Sequence, residues 1–345
     1  MVRRRSGLCR GRECPPSVAF SWSSDASVLA RIDAVKAAAT SVQEISVKTV
    51  EQRYRQIWGD APAPNRVYSD EETIRAMSRT LLAAFIAELV YYRVRLGLYK
   101  HMVISIVGSG GTAKSTMAFL ASVGGLMLAG YPRDEAIELV KRGFHRRLET
   151  LLDHFEELVE TQGYAPVIIL DDFSAFVPKY WLHMKMFHVA NLFSLLDILK
   201  DYTSVTLVTG RAFDAIAKRL REISQYVIVM RQYTIRPGLH LILALYHEID
   251  PYTARPVKIP VGFDVLPPTI RLPSDVWREM LGERREYARE LIERLRAGLE
   301  EEVPEELLEE EEDEGDEDGL LGETTDSLLD SGERRGGDRR SDGDG

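Results

Sequence analysis

The sequence predicts an α/β domain in three layers, with helices on both sides of a mostly parallel central sheet. Three observations carry this. Pro166–Leu170 (PVIIL), Ser204–Thr209 (SVTLVT) and Tyr226–Met230 (YVIVM) are short continuous apolar runs, the pattern of strands covered on both faces. Segments of helical spacing separate them, and strands alternating with helices favour parallel pairing. The β-branched run Met102–Val107 breaks into a glycine-rich turn, which opens an apolar helix over Ser115–Ala129.

Around that core the elements read in order. Residues 1–25 are rich in Arg, Ser, Pro and Gly and are expected to form a disordered basic arm. Ala26–Trp58 has helical spacing (Val28, Ile32, Val35, then Val50, Tyr54, Ile57), which makes residues 26–69 an N-terminal helical segment. Ser69 with Glu72 three residues on is a capping box. It predicts one long helix to about Leu96, packed through Ile74, Met77, Leu81, Phe85 and Leu89. Residues 70–250 form the core. Within it, Gly130–Gly163 reads as helical with at most a short strand around Arg142–Arg147, and helices Leu182–Tyr202 and Ala212–Ile223 connect the later strands. Leu239–Glu248 and Val257–Val265 read as antiparallel strands. A helix over Ser274–Leu299, with Ser274 as its cap, completes a C-terminal hairpin-and-helix region at 251–300. Residues 301–345 collapse into Glu, Asp and Gly and are expected to be a disordered acidic tail.

The net charge of −10 is unevenly spread. Residues 301–345 hold 20 acidic and 4 basic residues, leaving 34 acidic and 40 basic in residues 1–300. A mildly basic body therefore precedes the acidic tail, a weak pointer to nucleic acid. The two cysteines, Cys9 and Cys14, lack the partners of a zinc site or a disulfide framework, which favours a reducing, cytoplasmic setting. The basic start has no apolar run behind it, and Met117–Ala129 is too short to span a bilayer, so no membrane insertion is expected. His183 and His188 lack a matching ligand pair and read as packing residues.

The chemistry lies in Gly108-Ser109-Gly110-Gly111-Thr112-Ala113-Lys114-Ser115-Thr116. Gly108, Lys114 and Ser115 fit the phosphate-binding pattern G-x-x-x-x-G-K-[ST]. In that pattern turn amides and a helix N-terminus cradle an anion, a lysine neutralises it, and a hydroxyl completes a magnesium shell. Ala113 stands where the second glycine belongs, and its methyl group restricts the backbone. A partner motif follows in the expected order: the strand Val167–Leu170 runs into Asp171 and Asp172. An acidic pair at the end of a buried strand is placed to hold magnesium beside the phosphate loop.

Over roughly Met102–Arg231 the chain resembles the P-loop ATPases that carry an additional strand between the P-loop and Walker B strands, the group of AAA+, RecA-like and FtsK-like motors. The resemblance implies a three-layer P-loop NTPase that uses ATP and Mg2+. It implies Lys114 on the β- and γ-phosphates, Ser115 and Asp171 on the metal, and Asp172 as the residue that polarises water, one methylene shorter than the usual glutamate. It further implies Thr209 as a γ-phosphate sensor with Arg211 just beyond. It also implies Arg221, then Arg219, as the arginine finger completing a neighbour's site in a homo-oligomer. A hairpin in place of a helical lid shifts the likeness toward RecA-like and FtsK-like cores. Ser109 stands in place of the signature lysine of the ParA/MinD class, which argues against that class. The expected function is an ATPase acting on nucleic acid, with DNA as its partner. The alternatives are a nucleotide-dependent switch of slow turnover and a small-molecule kinase using the basic stretch Arg142–Arg147 as a lid.

Overall fold

Parallel pairing, which needs crossover connections, leaves the central strands buried along their length. The computed structural model describes residues 25–40, 45–172, 194, 198–213, 216 and 218–300. The expected basic arm, the acidic tail, both cysteines, His183, His188 and most of the helix expected over 182–202 lie outside these residues. By contacts the chain divides into two units, residues 1–279 and 280–345, and the site described below belongs wholly to the first.

Four helices come first: α1 (Asp25–Thr40), α2 (Val47–Trp58), α3 (Asp70–Met77) and α4 (Leu81–Leu96). The alternating part follows, with β1 (Met102–Gly108), α5 (Lys114–Leu128), α6 (Arg133–Arg142), β2 (Phe144–His145), α7 (Leu148–Thr161), β3 (Ala165–Leu170), β4 (Thr203–Gly210) and α8 (Lys218–Ile223). The chain continues through β5 (Ser224–Arg236), β6 (Leu239–Asp250), β7 (Arg255–Pro256), β8 (Gly262–Leu266) and α9 (Ser274–Glu300). The sheet order is β2-β3-β4-β1-β5-β6-β7, with β8 also on β6. The five strands from β2 to β5 pair in parallel, while β5–β6, β6–β7 and β6–β8 are antiparallel. This is the expected mostly parallel α/β architecture, and β4 lies between β1 and β3.

Alternation along β1 feeds two cores. Val103 and Val107 join Leu151, Phe155 and Leu158 of α7 and Leu220 of α8 on one face. On the other face α5 packs against β1, β3 and β4, and α4 packs on α5.

The structure corrects several local expectations. The single helix over Ser69–Leu96 is two helices, separated at Ser78–Thr80. Thr80 caps the second through Ala83 N, and Leu81 N donates to Asp264 Oδ2 at 2.8 Å. That acceptor lies 183 residues away, so no local signal announces the break. The strand expected to end at Met230 runs on to Arg236 and turns at Pro237-Gly238 into β6. The strand expected from Val257 begins at Gly262, after the two-residue β7. Described helix before β5 covers Lys218–Ile223 only. Ser274 is the first helical residue rather than the cap, since Trp277 N bonds Pro273 O at 2.8 Å.

One buried ion pair fastens the first helices to the last strands. Arg53 of α2 and Asp264 of β8 meet at 2.6 Å with side-chain exposures of 2% and 0%. Arg53 also donates to Phe263 O and Arg79 O. The second Asp264 oxygen accepts from Leu81 N and from Tyr246 Oη at 2.5 Å. Tyr246 Oη accepts from Leu82 N in turn. Every oxygen of the carboxylate is thus engaged, the condition for keeping a charge out of water. Asp264→Asn should cost about 3–5 kcal/mol by leaving Arg53 buried without its counter-charge. Tyr246→Phe should cost about 1–3 kcal/mol, because Leu82 N then lacks an acceptor. Urea unfolding of the two variants beside the parent measures both.

Candidate nucleotide site

The C-terminal ends of β1, β3 and β4 stand side by side because their register is parallel and level: Val107 faces Gly210, and Leu170 faces Val208. Each end delivers one part of the site. The loop 109–113 leaves β1 at Gly108, whose φ of 157° is one that L side chains rarely adopt, and close approach requires glycine there as well. A Cβ at this position would lie 2.4 Å from Met230 O on β5. Gly108 N is held by Arg211 O, and Thr112 Oγ1 donates to Ser109 O at 2.8 Å. Ser109, Gly110 and Gly111 form the exposed rim of the turn, Thr112 is buried beneath it, and Thr116 lies half-buried in the first turn of α5.

Ala113 adopts φ 57° and ψ 32° immediately before α5. This is the left-handed region that costs an L-residue about 1–2 kcal/mol, which is why the pattern prefers glycine there. The loop therefore keeps the glycine conformation with an alanine in it. Lys114, the first residue of α5, folds back so that Nζ donates to Gly108 O at 2.7 Å and Ser109 O at 3.0 Å. Burial pushes its ammonium below the ordinary lysine value, while Asp172 and Asp171 pull it back up.

Asp171, at the end of β3 and 5% exposed, is the centre of the cluster. Oδ1 accepts from Ser115 Oγ at 2.5 Å and from Thr209 Oγ1 at 2.8 Å. Oδ2 accepts from Arg146 Nε at 3.0 Å. Asp171 N continues the ladder to His145 O of β2. Asp172 is exposed with φ 55°, and its amide donates to Thr209 Oγ1 at 2.8 Å. The hydroxyl of Thr209 is thus spent on orienting the two aspartates.

The sequence-derived residues Gly108–Thr116, Asp171, Asp172 and Thr209 come together here. Arg221 is carried on a different element. It lies on α8, just before Ser224, which pairs with Val103 at the opposite end of β1. The five residue steps to Gly108 span roughly 17 Å of strand. The Arg221 guanidinium lies over the Phe213 ring at 5.9 Å. The residue that sequence reasoning missed is Arg146. It lies in the basic stretch 142–147, but only the pairing of β2 with β3 puts it on Asp171. Nor does the stretch make a lid, since Phe144 and His145 are an edge strand and Arg142 pairs with Glu157 of α7.

No protein-family model matches the sequence, and no curated protein is similar enough to it to be counted a relative. Among solved structures the chain is similar to the flagellar accessory protein FlaH from Methanocaldococcus jannaschii. The identity is 14% and the TM-score 0.26, over 48% of this chain and 88% of that one. It is similar to a KaiC-like protein from the archaeon Pyrococcus horikoshii at 17% identity and TM-score 0.29, over 49% of this chain and 91% of the other. It is also similar to C. elegans PCH-2 at 16% identity and TM-score 0.30, over 52% of this chain but 46% of PCH-2.

The residues fit a magnesium–nucleotide pair on their own chemistry. A serine hydroxyl beside a carboxylate is a hard oxygen set of the kind magnesium takes, usually keeping several waters. The loop amides, the start of α5 and Lys114 are the groups that would hold the phosphates.

Behind the site His145 Nε2 and His154 Nδ1 lie 2.9 Å apart, 4% and 8% exposed. Burial pushes both imidazoles below the ordinary range, and their mutual proximity pushes His145 further. His101, at the far end of β1, is pushed down to about 4 by burial. These histidines stay neutral when folded and take up protons when unfolded, so acidification favours the unfolded chain. Their contribution is present above about pH 6.5 and is lost as pH falls toward the folded values, at up to about 1.4 kcal/mol per pH unit for each. Melting temperatures between pH 7 and pH 5 should therefore fall with acid, and less steeply in His154→Gln. At position 113, Ala113→Gly should change stability by less than about 1 kcal/mol, because relief of strain offsets a freer unfolded chain. Ala113→Val, β-branched at positive φ, should lower the melting temperature and distort the loop.

Proposed function

We propose that this chain is a magnesium-dependent, ATP-binding P-loop protein that hydrolyses ATP and acts on nucleic acid as a motor, loader or packaging-type enzyme. One observation carries the nucleotide chemistry: Ser115, at the start of α5, and Thr209, at the end of β4, both bond Asp171 Oδ1 beside the loop whose carbonyls hold Lys114 Nζ. In this reading the loop 108–113 and Lys114 bind the phosphates, and Ser115 and Asp171 hold the metal. Bound magnesium would offset charge developing on the phosphate oxygens. Thr209 fixes the Asp171 carboxylate and the Asp172 backbone. Asp172 is the candidate to orient the attacking water, beside the cradle and open to solvent.

The nucleic-acid partner rests on the resemblance of residues 102–231 to RecA-like and FtsK-like cores, together with the basic balance of residues 1–300. Homo-oligomerisation rests on the same resemblance, and Arg221 is the residue assigned to a neighbour's site. Among the described residues no helix is long and apolar enough to cross a membrane.

A second reading has its own support. Asp172 is shorter than the usual glutamate and is held at φ 55°, which favours a nucleotide-dependent switch that binds tightly and turns over slowly.

ATP turnover of the full chain, with and without single- and double-stranded DNA and beside Lys114→Ala, tests the proposal. Turnover that DNA raises and the variant lacks, by at least about 100-fold as for loss of a principal phosphate contact, is expected. Tight binding with negligible turnover on any DNA selects the switch. Failure of the parent to bind nucleotide overturns both.

A further inference from the structure

Asp171 carries one bond that the phosphate-binding pattern does not account for. Ser115 and Thr209 fill Oδ1, whereas Oδ2 is taken by Arg146, a residue outside every motif in the sequence. The ion pair is 3.0 Å long, with the arginine 18% and the aspartate 6% exposed. It therefore lies largely out of water, where Coulomb attraction is less screened than at the surface.

The guanidinium is positioned from two sides. Arg146 directly follows β2, whose register on β3 places Phe144 opposite Ile169 and His145 opposite Leu170. The hydrogen bond from Asp171 N to His145 O at 2.8 Å then fixes the backbone next to Arg146. Its guanidinium carbon lies 5.2 Å from the centre of the Phe144 ring, and that ring meets Phe119 of α5 edge-on. Arg146 is thus tied to the strand that carries Asp171 and, through an aromatic contact, to the helix that carries Lys114 and Ser115.

A cation held on the metal carboxylate occupies the charge position that magnesium takes in the nucleotide reading. The two cannot both neutralise Asp171 Oδ2. We infer that Arg146 is a built-in counter-ion that holds and masks Asp171 until metal and nucleotide arrive together, and that magnesium then takes its place on the carboxylate. The inference rests on the nucleotide reading of this site and names a positioning residue within it. Its consequence is linkage. Without nucleotide, magnesium must displace an ion pair and gains little. Without magnesium, nucleotide still binds, because Arg146 masks the carboxylate that would otherwise repel the phosphates.

Binding, rather than turnover, tests this. The dissociation constant of N-methylanthraniloyl-ADP is measured for the full chain in millimolar magnesium and in EDTA, for the parent, Arg146→Gln, Asp171→Asn and the double variant. Arg146→Gln should weaken binding in EDTA more than in magnesium, widening the ratio of the two constants at least about fivefold, the lower range for coupled sites. In the Asp171→Asn background the same substitution should leave the ratio unchanged, because there is no carboxylate left to mask. A merely structural arginine would lower both affinities alike, and an equal ratio in parent and Arg146→Gln overturns the inference. A second measurement needs no variant: magnesium alone should not raise the melting temperature of the parent, whereas magnesium with ADP should. A clear shift with magnesium alone overturns the inference even if Arg146→Gln fails to fold. A parent that binds no nucleotide in either buffer overturns the nucleotide reading itself, while a parent that binds with an unaltered ratio removes only the role of Arg146.

Discussion

The buried pair of Arg53 and Asp264 sets the geometry from which the rest follows. A carboxylate with no exposure must have all its acceptors filled, and the donors that fill them come from α2, the start of α4 and β6. Fixing the start of α4 fixes the turn at Ser78–Thr80. Against that turn packs Gly124 of α5, where a Cβ would lie 2.6 Å from Ser78 N. Helix α5 is the one whose first residues are Lys114 and Ser115. A contact far from the phosphate loop thus determines where the helix behind the loop can lie.

Among the described residues two aspartates are held in this way, and their surroundings differ in one respect. Asp264 is sealed by a tyrosine, an arginine and a backbone amide, with no room for another partner. Asp171 has a comparable set, two hydroxyls and an arginine, but it lies at strand ends beside an exposed loop rim. Burial turns the first into a fastener. Position at the mouth of the sheet lets the second exchange a partner.

Both the legible and the illegible parts of this architecture have physical causes. PVIIL and SVTLVT announce their strands because both faces are covered, so their composition carries the signal alone. The phosphate loop is legible because its requirements are local: a turn, a cradle, a lysine and a hydroxyl in one stretch of nine residues. Beyond Met230, by contrast, β5 leaves its parallel neighbour, its residues become exposed or half-exposed, and the apolar run that marks it ends while the strand continues. The break after Met77 has no proline or glycine to mark it. Arg146 is invisible for a similar reason, since its meaning comes from a strand pairing with a segment 25 residues later. Arg53 and Asp264 are separated by 211 positions, and nothing in either neighbourhood requires the other.

The outer strands of the sheet remain. On one side the described sheet ends in β2, two residues long, and on the other it ends in β7, also two residues, and β8, five residues. A free strand edge is a row of unsatisfied amides and carbonyls that invites another chain to add a strand, and short edges withhold that invitation. Copies of this protein gain little by extending one sheet into the next. Among the described residues, a partner docking on this protein would meet side chains on helices and loops, where charge and shape discriminate, rather than backbone hydrogen bonds that recognise any extended chain.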